Sequence, residues 1–138
     1  MIKTFRLRKK LGNNKNEKGI ILILTDDIDI RNTFKLLFKD SGYKLMFESK
    51  GIKMLEKLHK YKNKRIKLLI LAIELPDMSG LDMIHKLKYI NDSVKTLLID
   101  NFGVSEIMQQ TLNFGADYMI RRPFIPEHIL KSINKILN

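Results

Sequence analysis

The run Ile66-Lys67-Leu68-Leu69-Ile70-Leu71-Ala72 limits the fold more than any other part of the sequence. A strand with one face in water alternates apolar and polar residues, whereas this run is apolar at nearly every position. It therefore reads as a strand buried on both faces at the centre of a parallel sheet. Parallel neighbours need crossover connections, usually helices. The sequence supplies them from Gly19 onward, where short β-rich runs alternate with stretches of helical spacing. Five strands are expected, at Ile20 to Thr25, Lys44 to Glu48, Ile66 to Ala72, Thr96 to Asp100 and Tyr118 to Arg121. The first helix carries Ile30, Phe34, Leu37 and Phe38 inward and is closed by Ser41-Gly42. The second runs about Ile52 to Tyr61 with Ile52, Leu55 and Leu58 inward, and the third about Ser79 to Tyr89 with Leu81, Ile84 and Leu87 inward. A fourth covers about Ser105 to Asn113, and a fifth runs from Pro126 to the end. The pattern is α/β, five repeated βα units.

Length allows one domain, since 138 residues are too few for two separate cores. With 44% hydrophobic and 30% charged residues the chain has the composition of a folded domain. The absence of cysteine excludes disulfides, thiol nucleophiles and thiolate metal sites. The apolar run from Ile66 to Ile73 falls far short of the ~20 residues of a membrane span. The N-terminus lacks the apolar segment of a secretory signal, so a cytoplasmic location is expected. Of the formal charge of +11, residues 1–18 supply +6, from seven basic residues against Glu17. Rich in turn formers and without apolar periodicity, these residues read as a flexible basic arm preceding a domain over 19–138. The chain stops with the fifth helix, so any effector domain is expected on another protein.

In an open parallel sheet, chemistry gathers beyond the carboxyl ends of the strands. Collected there are Asp26 and Asp27 after the first strand, Ala72 ending the third, Asp100 ending the fourth, and Arg122-Pro123 after the fifth. Adjacent acids after a strand serve equally well as a helix cap and a first-turn charge, and Asp26-Asp27 carries that reading with the same weight as a functional one. More specific is Ile73-Glu74-Leu75-Pro76-Asp77-Met78-Ser79-Gly80, combined with Gly115-Ala116-Asp117 and Arg122-Pro123-Phe124. In order and spacing these blocks closely resemble the receiver domain of bacterial two-component response regulators, the CheY-like superfamily, over residues 19 to 138. The resemblance implies a flavodoxin-like three-layer sandwich with strand order 2-1-3-4-5.

A receiver accepts a phosphoryl group on an aspartate ending the third strand. It uses Mg²⁺ held by that aspartate, by an acid of the pair after the first strand and by a nearby carbonyl. Here the resemblance matches the acidic pair to Asp26 and Asp27 and the carbonyl to Glu74, and it places Ala72 at the acceptor position. A methyl group offers no lone pair to phosphorus or metal. The Thr or Ser expected at the end of the fourth strand is Asp100, the Lys before the proline is Arg122, and the strand-five aromatic position holds Met119, with Tyr118 facing the other way. Ala72, Asp100 and Arg122 together read as a degenerate phosphorylation site. Asp100 and Arg122 on adjacent strand ends either imitate a fixed switch state or neutralise a crowded acidic pocket. The resemblance also implies a cis peptide before Pro123, with Phe124 placed against the last helix.

The leading expectation is a stand-alone pseudo-receiver without a cofactor that binds a protein partner, such as a histidine kinase or another regulator. Receivers bind partners or dimerise through the face made by the fourth helix, fifth strand and fifth helix, where Phe102, Ile107, Tyr118 and Ile125 are the candidate contacts. The alternative is a nucleic-acid or anionic-surface binder acting through Arg6, Arg8, Lys9 and Lys10. A minor reading keeps a cation on Asp26, Asp27 and Asp100. Enzymatic chemistry is not expected, because no nucleophile has a neighbouring base and no phosphate-binding glycine loop is present. His59, His85 and His128 read as solvated helix residues, and the methionines from Met46 to Met119 as core fillers.

Overall fold

The computed structural model of the chain describes residues 18–100, 115–121 and 124–137, with Asp100 through its backbone alone. The expected basic arm, the fourth helix, Phe102, Ile107, Arg122 and Pro123 lie outside the described residues. Five strands form one parallel sheet: β1 (Gly19–Leu24), β2 (Tyr43–Glu48), β3 (Ile66–Ala72), β4 (Lys95–Asp100) and β5 (Tyr118–Arg121). Their order is β2-β1-β3-β4-β5, the flavodoxin-like arrangement, with β3 central. The described helices are α1 (Ile28–Leu37), α2 (Gly51–Lys60), α3 (Gly80–Ile90) and α4 (Pro126–Leu137), the last being the fifth of the expected helices.

Burial on both faces explains the texture of β3. Leu68 and Ile70 join the core shared with α1 and α4, while Leu69 and Leu71 join the core shared with α2 and α3, and all four are fully buried. The alternation along β5 follows the same rule, with Tyr118 and Ile120 packed on the first core and Met119 on the second.

Local pattern gave the helices but not always the face. Ile52 was expected inward and is instead 57% exposed. The buried stripe of α2 is Gly51, Met54 and Leu58, and Leu55 packs only at its margin. In α3, Met83 takes the inward place expected of Leu81, beside Ile84 and Leu87 as expected. Each apolar set had two overlapping helical stripes, and the tertiary contacts of the helix selected one. Helix α1 buries Ile30, Phe34 and Leu37 as expected but ends before Ser41-Gly42. Phe38 is its C-cap, and the chain reverses through Asp40 and Gly42, both at positive φ. β1 starts and stops one residue earlier than expected. Met54 and Met83 are fully buried, and Met46, Met78 and Met119 pack at the core margin. No described helix is long and apolar enough to cross a membrane.

Candidate functional site

The carboxyl ends of β1, β3 and β4 lie side by side because these strands are neighbours in the sheet. After β1, Thr25 is buried and its N–H donates to the Glu48 carbonyl at 3.0 Å. Its hydroxyl oxygen accepts from the Asp27 N–H at 3.2 Å. Asp27 is the N-cap of α1, and its Oδ1 accepts from the N–H groups of Asp29 at 2.8 Å and Ile30 at 3.3 Å. The capping role that sequence left open for the acidic pair thus falls to Asp27, which satisfies donors that a helix start otherwise leaves orphaned. Asp26 is exposed on the turn before it.

Sequence reasoning missed Arg31. Its Nε donates to the Thr25 carbonyl at 3.0 Å, placing a guanidinium at the carboxyl end of β1. Arg31 also lies over the Phe47 ring, with Lys35 on the same ring at 5.3 Å. On the far side of β2, Glu48 pairs with Lys57 at 2.5 Å.

Ala72 is the last residue of β3 and pairs in register with Ile99. The next seven residues make a compact loop. The N–H of Gly80 donates to the Ile73 carbonyl at 2.6 Å, and that of Leu75 to the Met78 carbonyl at 3.1 Å. Glu74 is exposed and bridges to Ser79, whose hydroxyl caps α3 through the Asp82 N–H at 3.0 Å. Beside Ala72, the end of β4 brings Asp100 into register with Arg121 of β5. The Gly115-Ala116-Asp117 block ties β5 to the start of β4. Asp117 accepts from the buried Thr96 N–H at 2.8 Å, and the Asp117 N–H donates to the Thr96 hydroxyl at 3.1 Å.

The loop after β3 holds a second feature that sequence gave no sign of. The carboxylate of Asp77 accepts from the N–H groups of Gly51 at 2.8 Å and Ile52 at 3.0 Å, capping α2 from 25 and 26 residues away. Lys50, the local N-cap of α2, makes no side-chain cap bond, so Asp77 supplies the cap in its place. The Ile52 N–H lowers the Asp77 pKa most. Gly51, its own N–H and the Lys50 charge lower it further, against the opposing pull of desolvation. A carboxyl whose folded pKa is depressed contributes stability above its unfolded pKa and loses it as pH falls through the folded value. Thermal melts between neutral pH and about pH 3 are expected to show Asp77→Asn reducing stability by a smaller margin at the acid end, because wild type loses its advantage below about pH 4. Equal acid sensitivity in both proteins would contradict this assignment.

Of the expected interaction face, Tyr118 is half-buried against the core of α1 and α4, while Ile125 is 45% exposed ahead of α4. Phe124 packs against the same core as Tyr118, on the side of α4. His59, His85 and His128 lie exposed on α2, α3 and α4.

The response regulator receiver domain description matches residues 21–134, most of the chain. The chain belongs to the response regulator receiver family. As a receiver it is 26% identical over 122 residues to "Sporulation initiation phosphotransferase F" of Bacillus subtilis, covering 88% of this chain and 94% of that protein. It is 25% identical over 116 residues to "Chemotaxis protein CheY" of Thermotoga maritima, covering 84% and 95%. Among solved structures, a CheY-like receiver domain protein from Methanospirillum hungatei superposes with a TM-score of 0.76 at 28% identity, over 86% of this chain and 92% of that one. The signal receiver domain of an HD domain-containing protein from Pseudomonas fluorescens gives a TM-score of 0.79 at 18% identity, over 90% of each chain, and shares the fold. Membership places this receiver in two-component-type signalling, where receivers engage kinases or other regulators.

Proposed function

We propose that this chain is a pseudo-receiver, a cytoplasmic regulatory module that binds a protein partner without being phosphorylated on aspartate. The observation that carries the reading is Ala72 as the final residue of β3, the position where the family resemblance puts the phosphoryl acceptor. Attack on phosphorus needs an oxygen lone pair, and a methyl group has none.

The donor set around it also fits Mg²⁺ poorly. Ala72 contributes no side-chain oxygen, Oδ1 of Asp27 is committed to two α1 N–H groups, and Asp26 stands exposed. Among the described residues, no three His, Asp or Glu gather at metal-binding spacing. In this reading Asp100 and Arg122 stand in sequence where the family has its hydroxyl residue and its lysine, so the groups that respond to a phosphoryl group are replaced along with the acceptor. The signal is then the presence of the protein, its abundance or a bound ligand, read by a kinase or another regulator through the β5 and α4 side that carries Tyr118 and Ile125. That side would also serve a homodimer.

Calorimetric titration of the full chain with Mg²⁺ and then beryllofluoride, which imitates an aspartyl phosphate, tests the proposal. The expected result is no saturable heat and no shift in Tm. Saturable binding of beryllofluoride would overturn it.

A further inference from the structure

The sheet has two edges of opposite character. Around the carboxyl ends of the strands stand Asp26, Asp27, Asp29, Glu48, Glu74, Asp77, Asp82 and Glu127, whereas the amino ends carry the densest positive segment among the described residues. From Lys57 to Ile73 the chain has no acid, and it holds Lys57, Lys60, Lys62, Lys64, Arg65 and Lys67. Three of these, Lys62, Lys64 and Arg65, lie on the turn joining α2 to β3, where Lys62, Asn63, Lys64 and Arg65 are all exposed. No carboxylate among the described residues lies in ion-pair range of Lys62, Lys64, Arg65 or Lys67. Acids at this edge are sparse: Asp40, Asp92 and Asp117, of which Asp117 is engaged by Thr96.

The turn is built rather than loose. The Lys64 N–H donates to the Tyr61 carbonyl at 2.8 Å, the Ile66 N–H to the Lys64 carbonyl at 2.9 Å, and the Ile20 N–H of β1 to the Arg65 carbonyl at 2.7 Å. A cation array on a pinned backbone loses less freedom on binding than one on a free tail. Asn63, Lys64 and Arg65 form a ridge between two concavities of 410 and 570 Å³. Tyr61 and Lys44 line the first; Lys67 and Asn91 line the second.

We propose that this ridge and its two flanking concavities bind the phosphate backbone of a nucleic acid. Lys, Arg and Asn side chains are the usual donors to backbone phosphates. Aromatic rings supply stacking for unpaired bases, and Tyr61, partly buried against the core, lines the first concavity. A lipid surface would ask for aliphatic side chains to insert, and none of the exposed ones, Ile28, Leu36, Ile52 and Ile125, lines either concavity. The inference is independent of whether Ala72 ends phosphorylation, since the ridge lies at the opposite edge of the sheet.

The test is fluorescence anisotropy of a short labelled single-stranded DNA and its duplex with the full chain, at several salt concentrations. Lys62→Ala/Lys64→Ala/Arg65→Ala should weaken binding about ten-fold or more and lower the slope of log affinity against log salt by about two to three. Arg6→Ala/Arg8→Ala/Lys9→Ala/Lys10→Ala should cost less than the ridge variant. All three ridge residues are exposed, and an unchanged Tm would certify the fold. Should the triple variant melt early, Lys62→Ala/Lys64→Ala replaces it and is expected to lower the slope by about two. Unchanged binding in the ridge variants, or loss confined to the arm variant, would overturn the proposal. So would tighter binding to polyglutamate or to phosphatidylserine vesicles than to either DNA, because the patch would then serve an acidic protein or a membrane.

Discussion

Replacing Ile70 by alanine should destabilise the domain by about 2–5 kcal/mol, the range for emptying a packed aliphatic site. Ile70 is fully buried in the central strand, hydrogen-bonded to β1 on one side and β4 on the other. It packs in the core formed with α1 and α4. Strands paired on both edges cannot move to refill the space, so little of the cavity should collapse. Stability of a domain this size is only about 5–15 kcal/mol, so the loss should be evident as a large fall in the urea midpoint at unchanged m-value. Ile136→Ala, at the partly buried end of α4, should cost clearly less. A loss under about 1 kcal/mol for Ile70→Ala would contradict the packing described here.

Gly80→Ala is expected to cost about 3 kcal/mol, although alanine is the better helix former. A Cβ at position 80 would stand 2.4 Å from the Ala72 carbonyl oxygen and 3.1 Å from the Cα and carbonyl oxygen of Ile73. These are backbone atoms at the end of β3, so relief requires opening the turn after Ala72 or lifting α3 from the sheet. Either movement strains the Gly80 N–H bond to the Ile73 carbonyl. Gly51→Ala is the matched comparison, because there the three atoms nearest the new methyl all belong to the Met78 side chain, which can rotate away. Denaturant unfolding of both variants should rank Gly80→Ala as the more damaging. The reverse order would show that the Ala72 turn yields more easily than its geometry implies.

How much of this was legible in the sequence depended on how far each cause lies along the chain. The β3 run declared its own burial, because burial on both faces removes the polar residues from the strand itself. Asp27 was legible as a cap because its partners are two and three residues away. The cap on α2 was not, since Asp77 is 25 residues beyond Ile52 and the local N-cap is a lysine. The same distance accounts for the misjudged face of α2. Gly51 is buried because the loop carrying Asp77 and Met78 docks there, which turns Met54 inward and leaves Ile52 in water. Arg31 escaped notice because its helical position suggests a solvated cation, and only the fold brings it to the Thr25 carbonyl. The end of β3 was legible to the residue, since Ala72 closes the expected strand and the observed one.

Exposure of the full chain to acetyl phosphate and Mg²⁺, followed by intact-mass measurement, tests the pseudo-receiver reading most directly. An unchanged mass, under conditions in which a phosphorylatable receiver gains a phosphoryl group, is the predicted result. Addition of one phosphoryl group that hydrolyses in mild alkali, as an acyl phosphate does, would place the acceptor on another carboxylate of this edge and contradict the account.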